Sequence, residues 1–94
     1  MKTLHLAVKR EYFEQIKSGE KIDEYRLYND YWRNRMSKGP FTKIVITLGY
    51  PKKGDTERTL EFPWRGHDVK WINHPHFGPD DVSVYAIHLT EPKP

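Results

Sequence analysis

Apolar and polar residues alternate along most of the chain, and this alternation predicts six short strands. Leu4, Leu6 and Val8 are separated by single residues, which is the two-residue period of a strand with one apolar face. The same period, or a run of β-favouring residues bounded by turn residues, marks five further segments. These are Lys21–Tyr28, Phe41–Tyr50, Glu57–Trp64, Val69–Ile72 and Val82–Leu89.

Two stretches have helical spacing instead. In residues 10–18 the apolar side chains recur at spacings of three and four, so they share one helical face. Gly19 is a natural stop for this helix, because glycine enters the left-handed region at little cost. A second short helix is predicted over Tyr31–Met36, with Asn29 or Asp30 as its N-terminal cap.

The order strand, helix, strand, helix and then four strands predicts an α+β fold. We expect a small six-stranded, partly closed β-barrel with two short helices, because closure removes exposed sheet edges. The chain has 94 residues, without internal repeats or long linkers, so residues 1–94 are expected to form a single domain. Residues 73–81 are expected to form a loop and residues 91–94 a tail.

The composition restricts the chemistry. There is no cysteine, which excludes disulfide bonds, thiolate zinc sites and a cysteine nucleophile. No apolar run reaches the length of a signal peptide or a membrane span, so a cytoplasmic protein without a membrane partner is expected. The net charge of +3 permits an anionic partner, although a solvated surface with slightly more basic than acidic residues explains it as well.

One motif lies where the first helix meets the second strand. Residues 19–26 read G-E-K-I-D-E-Y-R and fit the pattern G-x-K-x-x-E-x-R. Glu24 and Arg26 are two residues apart, so both project from one face of a strand. Lys21 and Arg26 offer cationic donors and Glu24 an acceptor, which suits a ligand with a phosphate and a base edge. The alternative is a structural salt-bridge lattice that closes the mouth of the barrel.

This motif, at this junction, resembles the signature of the ASCH domain family, and the resemblance covers nearly the whole chain. Tyr31-Trp32, Gly49-Tyr50-Pro51 and residues 74–79 (H-P-H-F-G-P) are similar to the small stand-alone bacterial and phage type. The resemblance implies a PUA-like barrel with a charged cleft for RNA or a nucleotide-like ligand. Lys21 and Glu24 would then be the candidate catalytic residues, and Gly19 the motif glycine.

Aromatic and basic residues near the motif are candidates for ligand contacts. Aromatic residues interleaved with Arg and Lys are typical of a stacking surface for unpaired bases, although about half of them should fill the core. We expect Trp32 and Arg35 at the rim of the cleft, and Tyr50 beside a glycine that allows close backbone approach. The predicted RNA- or ligand-binding residues are Lys9, Arg26, Tyr31, Trp32, Arg35, Tyr50 and Arg65.

The histidines do not predict a metal site. His74 and His76 form an H-x-H pair, but a third convergent ligand is missing from the pattern. Hydrogen bonds within the loop or a contact to phosphate explain the pair better. The sequence also lacks a phosphate-binding loop and a dinucleotide fingerprint, so no cofactor is expected.

Three functions remain open. The first is a monomeric binding module for single-stranded or structured RNA or a nucleotide-like small molecule. The second is a hydrolase acting on RNA or a modified nucleoside, with Glu24 as general base and Lys21 or Arg26 stabilising developing negative charge. One amidohydrolase-like branch of the family has a threonine where Glu24 stands here, so a threonine mechanism does not transfer to this chain. The third is a protein-interaction domain.

Overall fold

Six strands and two helices follow one another in the predicted order. The structure is a computed structural model and describes residues 2–90. The strands are β1 (Thr3–Val8), β2 (Asp23–Leu27), β3 (Lys43–Leu48), β4 (Thr59–Pro63), β5 (His67–Ile72) and β6 (Val82–His88). The helices are α1 (Arg10–Ser18) and α2 (Asp30–Met36), with two single 3₁₀ turns at Thr56–Arg58 and Pro75–Phe77. The α+β class is confirmed, and the predicted tail at residues 91–94 lies outside the described residues.

The strands form two three-stranded sheets. In the first, β3 is central, with β1 parallel to it on one side and β4 antiparallel on the other. In the second, β6 is central and antiparallel to both β2 and β5. Residues 64–66 carry the chain from β4 into β5, and so from one sheet to the other. Over residues 2–90 the two sheets do not close into a barrel, so the barrel stays a prediction.

The core combines side chains of α1 and of strands from both sheets. In β1, Leu4, Leu6 and Val8 are buried, as the alternation predicts. The central strands differ from this pattern, because residues 44–46 of β3 and 84–87 of β6 are buried without interruption. Each of these strands has a neighbour on both sides, and its central positions are covered on both faces, so the buried run is apolar apart from the hydroxyl of Tyr85.

Local hydrogen bonds fix the end of α1 and the start of α2, and the motif lies between these two points. The α1 helix ends at Gly19, whose φ of 85° is left-handed and whose N–H donates to the carbonyl of Ile16. The α2 helix begins after Asn29, and the Asn29 side chain accepts a hydrogen bond from the N–H of Trp32. Asn29, rather than Asp30, is therefore the N-terminal cap of α2. Within residues 2–90, neither helix has the length and apolar character needed to cross a membrane.

Candidate functional site

A cavity of about 440 Å³ lies between the edges of the two sheets. Ala7 and Val8 of β1 line one side, and residues 24–27 of β2 line the other. Both strands are at the edge of their sheets, since β1 pairs only with β3 and β2 only with β6 among the described residues. The cavity therefore occupies the gap at which the two sheets are not joined by hydrogen-bonded strands.

Three charged side chains of the motif converge in this cavity. Glu24 is buried, with 5% of its surface exposed. One of its carboxylate oxygens lies 2.7 Å from Nη2 of Arg26, and the other lies 3.6 Å from Nζ of Lys21. The expectation that Glu24 and Arg26 project from one face of the strand is confirmed by this contact. The cluster presents two cations and one carboxylate to the same cavity.

The cluster also contributes to the fold. Nη2 of Arg26 donates to the carbonyl oxygen of Ala7 at 2.9 Å, and Nη2 of Arg35 donates to that of His5 at 2.9 Å. Alternate residues of a strand direct their backbone groups to the same side, so both carbonyls belong to the open edge of β1. The two guanidinium groups thus cap this edge, and Arg26 links β2 to β1. Arg26 therefore has a structural role, and its predicted contact to a ligand stays a prediction.

Aromatic rings surround the cations. Nζ of Lys21 lies 4.4 Å from the centre of the Tyr25 ring and 5.5 Å from that of Tyr12. The Trp32 ring lies 5.0 Å from the guanidinium carbon of Arg26 and 4.8 Å from that of Arg35. These distances fall within the range of cation–π attraction, which holds the long basic side chains in place.

The loop between β5 and β6 contributes the remaining wall. His74, His76 and Phe77 line the cavity, and Nδ1 of His74 accepts a hydrogen bond from the backbone N–H of His76 at 3.1 Å. The centre of the Tyr12 ring lies 5.9 Å from that of His74 and 5.5 Å from that of His76. The hydrogen-bonded loop predicted for the two histidines is present, and it faces the cavity.

Two groups of this wall have shifted pKa values. The pKa of His76 is lowered, first by partial desolvation and then by the positive charge of Lys9, with Glu24 acting in the opposite direction. The pKa of Tyr12 is raised, again first by desolvation and then by Glu11 and Glu24. Neutral imidazole and neutral phenol are therefore favoured beside the charged cluster.

The structure brings some of the predicted site residues together. Among those predicted to bind or act on a ligand, the following line the cavity: Lys9, Lys21, Glu24, Arg26, Trp32 and Tyr50. Tyr50 is 96% exposed at the rim, and it follows Gly49, whose φ is 61° and whose N–H donates to the carbonyl of Val8.

Four predicted residues are not part of the lining. Gly19 acts through the backbone at the end of α1, and Arg65 lies in the link between β4 and β5. Tyr31 is exposed on α2, and Arg35 stacks on the Trp32 ring from outside the lining. Their predicted contacts to a ligand stay predictions.

Sequence reasoning missed three aromatic residues of the cavity, Tyr12, Tyr25 and Phe77. Tyr12 belongs to the apolar face predicted for residues 10–18, and that helical spacing gave no indication of a cavity. Tyr25 lies between Glu24 and Arg26 in the sequence, and this position within the motif could have identified it as a cavity residue. Phe77 lies in the 74–79 segment that carries the family resemblance, but only the folded loop brings its ring to the cavity.

No three His, Asp or Glu side chains within residues 2–90 are arranged to hold a metal ion. No family model, no curated protein and no solved structure matches this chain.

Proposed function

We propose that this chain is an ASCH domain of the PUA-like kind that binds RNA or a nucleotide-like ligand in the cavity between β1 and β2. The observation that carries the proposal is the convergence of Lys21, Glu24 and Arg26 in one aromatic-walled cavity. A salt-bridge lattice with only a structural role does not require such a cavity beside it.

The size of the cavity indicates the size of the ligand. A volume of about 440 Å³ falls within the roughly 300–1,000 Å³ of small-molecule sites. It suits one nucleoside or nucleotide and is too small for a duplex. An RNA partner would therefore insert an unpaired base, which is how most sequence-specific RNA recognition occurs.

The chemistry of the lining fits the parts of a nucleotide. Lys9 and Lys21 provide cations for a phosphate, and the carboxylate of Glu24 can accept hydrogen bonds from the amino or imino groups of a base. Trp32 and Tyr50 offer ring faces for stacking, which is worth about 1–3 kcal/mol per base.

In this proposal the two sheets are the halves of a six-stranded PUA-like barrel. The short link between β4 and β5 supports this arrangement on one side. On the other side, the hydrogen bond from Arg26 to Ala7 takes the place of strand pairing between β1 and β2. The ligand would then enter through the unpaired seam of the barrel.

The test is a titration of the purified protein by calorimetry at low salt. The ligands are short single-stranded RNA and DNA, an RNA hairpin and free nucleosides, including acylated ones. We expect Lys21→Ala to weaken binding by roughly ten- to a hundredfold, since a charge-assisted hydrogen bond contributes roughly 1.5–3 kcal/mol. The dependence of the binding constant on salt should also become less steep by about one phosphate contact.

The matched control is Lys17→Ala, which removes an exposed lysine of α1 that does not line the cavity. Circular dichroism of both variants shows whether they remain folded. Equal affinities of Lys17→Ala and Lys21→Ala, with both folded, would contradict the assignment of the site. Binding of none of the ligands by the wild type would refute the proposed function.

A second candidate function is hydrolysis at the same site, favoured by the proximity of Lys21 and Glu24, whose charged atoms are 3.6 Å apart. Glu24 would take a proton from water as the oxygen attacks the substrate, and Lys21 would stabilise the negative charge that develops. Glu24 would then return the proton to the leaving group as its bond to the substrate breaks. Mass spectrometry of the same mixtures detects any product. In a hydrolase, Glu24→Gln should abolish turnover while ligand affinity is retained.

A further inference from the structure

The outer edge of β5 is the most exposed edge in the two sheets. Residues 67–71 are all exposed, including Val69 at 49% and Trp71 at 72%. Among the described residues, β5 pairs only with β6. By contrast, arginine side chains cap the edge of β1, and β2 lines the cavity. An uncapped strand edge with large apolar side chains is a template for pairing with another strand.

The backbone groups available on this edge follow from the pairing with β6. The carbonyl of Gly66 accepts a hydrogen bond from the N–H of His88, so Gly66 directs its polar groups towards β6. Since direction alternates along a strand, Asp68 and Lys70 also direct theirs towards β6. The N–H and C=O groups of His67, Val69 and Trp71 therefore point away from the sheet.

We propose that β5 pairs with β5 of a second copy of this chain, antiparallel and with Val69 opposite Val69. The twofold axis then passes between the two valines, perpendicular to the joined sheets. Each His67 lies opposite Trp71 of the second copy, and the outward backbone groups of these residues form reciprocal hydrogen bonds. The result is a continuous six-stranded sheet.

Several registers pair residues that lie on the same face of the sheet, and charge favours this one among them. A twofold axis perpendicular to the sheet pairs residues of the same face, so the possible registers differ by steps of two. In the proposed register, Asp68 of each copy lies opposite Lys70 of the other. Moving the pairing by one step places either Asp68 opposite Asp68 or Lys70 opposite Lys70, which is destabilising.

The positions of the Asp68–Lys70 pairs also favour close contact between their side chains. Because the hydrogen-bonded pairs are those of the outward residues, Asp68 and Lys70 form non-hydrogen-bonded pairs, in which side chains approach more closely. The Asp68 side chain is mostly exposed and lies 3.3 Å from Nε2 of His88. This contact holds the carboxylate on the face of the sheet on which the Asp68–Lys70 pairs would form. The β5 edges of two copies therefore complement each other in backbone hydrogen bonds and in charge.

A single pairing of two six-residue strands buries less surface than the roughly 1,200 Å² of a stable interface. We therefore expect an equilibrium between monomer and dimer that depends on concentration in the micromolar range or above. Strand β6 lies between β5 and β2 in the sheet, but Nζ of Lys70 lies 5.5 Å from the centre of the Tyr25 ring, which lines the cavity, so association is measured without ligand.

Sedimentation equilibrium of the wild-type chain, from about 10 μM to about 1 mM, tests the proposal. We expect dimer to form with concentration. Asp68→Lys and Lys70→Asp should each remain monomeric at the concentrations at which the wild type associates, because each places like charges opposite each other. An equimolar mixture of the two variants should recover association, because every pair across the joint is then of opposite charge.

Two further variants serve as controls. Glu20→Lys makes the same change in net charge as Asp68→Lys at an exposed position away from β5 and should associate like the wild type. Val69→Pro removes an outward N–H without removing a bond to β6 and should prevent association. A wild type that stays monomeric at the highest concentration would overturn the proposal. So would a mixture no more associated than its components when circular dichroism shows that both variants are folded.

Discussion

Glu24 is a buried carboxylate whose two partners both come from the motif. Burying such a cluster removes hydration from three charges, so it contributes less to stability than its short distances suggest. The Nε–H of Arg26 adds a cost, since it is buried and makes no hydrogen bond to any of residues 2–90. Apolar residues would fill this space at lower cost.

The cost of separating the cluster gives a prediction. Arg26→Ala leaves Glu24 with Lys21 alone and removes the contact to Ala7, so we expect a loss of about 3 kcal/mol in the free energy of unfolding. Urea denaturation measures this loss. The control is Arg33→Ala, which breaks an exposed ion pair with Asp30 and should cost less than about 1 kcal/mol. Equal effects of the two variants would contradict the structural role of Arg26.

The lowered pKa of His76 predicts a pH dependence of ligand binding. At neutral pH its imidazole is uncharged, and because its pKa is lowered it gains a proton, and a positive charge near Lys9, at a pH below that of an ordinary histidine. An anionic ligand favours the protonated form, so the affinity for a short single-stranded RNA should rise as the pH falls through this region. The RNA phosphodiesters keep their charge over the same range.

His76→Gln is the matched variant for this measurement. It keeps a polar side chain without the titration, so its affinity should rise less on acidification than that of the wild type. Calorimetric titrations at pH 7.5 and pH 5.5 give the difference. The same pH dependence in both proteins would exclude His76 as the titrating group.

At the scale of elements, α2 positions Trp32 and Arg35 although none of its residues is fully buried. A helix of seven residues is too short to be stable by itself, so it depends on its cap and on its contacts. Asn29 supplies the cap, and the Trp32 and Met36 side chains pack against the core. One wall of the cavity therefore depends on a weakly held helix.

Asn29→Ala should destabilise the protein by about 1 kcal/mol, because the N–H of Trp32 loses its acceptor. Asn29→Asp retains an acceptor and should stay close to the wild type. The midpoints of urea denaturation distinguish the two variants. If alanine and aspartate had the same midpoint, the cap would contribute nothing measurable to stability.

The sequence predicted the elements well where one face of an element is buried. β1 and α1 have a single apolar face, and both were found with the expected burial. β6 was expected to alternate, yet residues 84–87 are all buried, because it lies between two strands. The start of β5 at His67 was also missed by two residues, since exposed edge residues leave no hydrophobic period.

The candidate site was predictable only where its residues share one element. Glu24 and Arg26 follow from the period of a strand, and Lys21 from the motif. His74 and Phe77 come to the cavity from a loop some fifty residues later in the chain, and no local pattern encodes that contact. Which charges share a cavity depends on how the two sheets meet, and therefore on long-range packing.

For the whole molecule, α1 and strands β1, β3 and β6, which come from both sheets, contribute to one cluster of buried side chains. Ile46 of β3 is fully buried within it. Ile46→Ala should lower the free energy of unfolding by about 3 kcal/mol, a large part of the roughly 5–15 kcal/mol of a typical domain. Ile22→Ala, at an exposed position, should change it by less than about 0.5 kcal/mol. Urea denaturation followed by circular dichroism compares the two, and similar values would place Ile46 outside the cooperative core.

The position of β6 has a consequence for biosynthesis. It is the central strand of its sheet and also the last of the six in the chain. As the chain leaves the ribosome, β2 emerges some sixty residues before β6 and has no partner to pair with until residue 88 is outside the exit tunnel. The cavity cannot form during this interval, since one of its walls is β2. A nascent chain of this protein therefore acquires any ligand only after the last strand has been released.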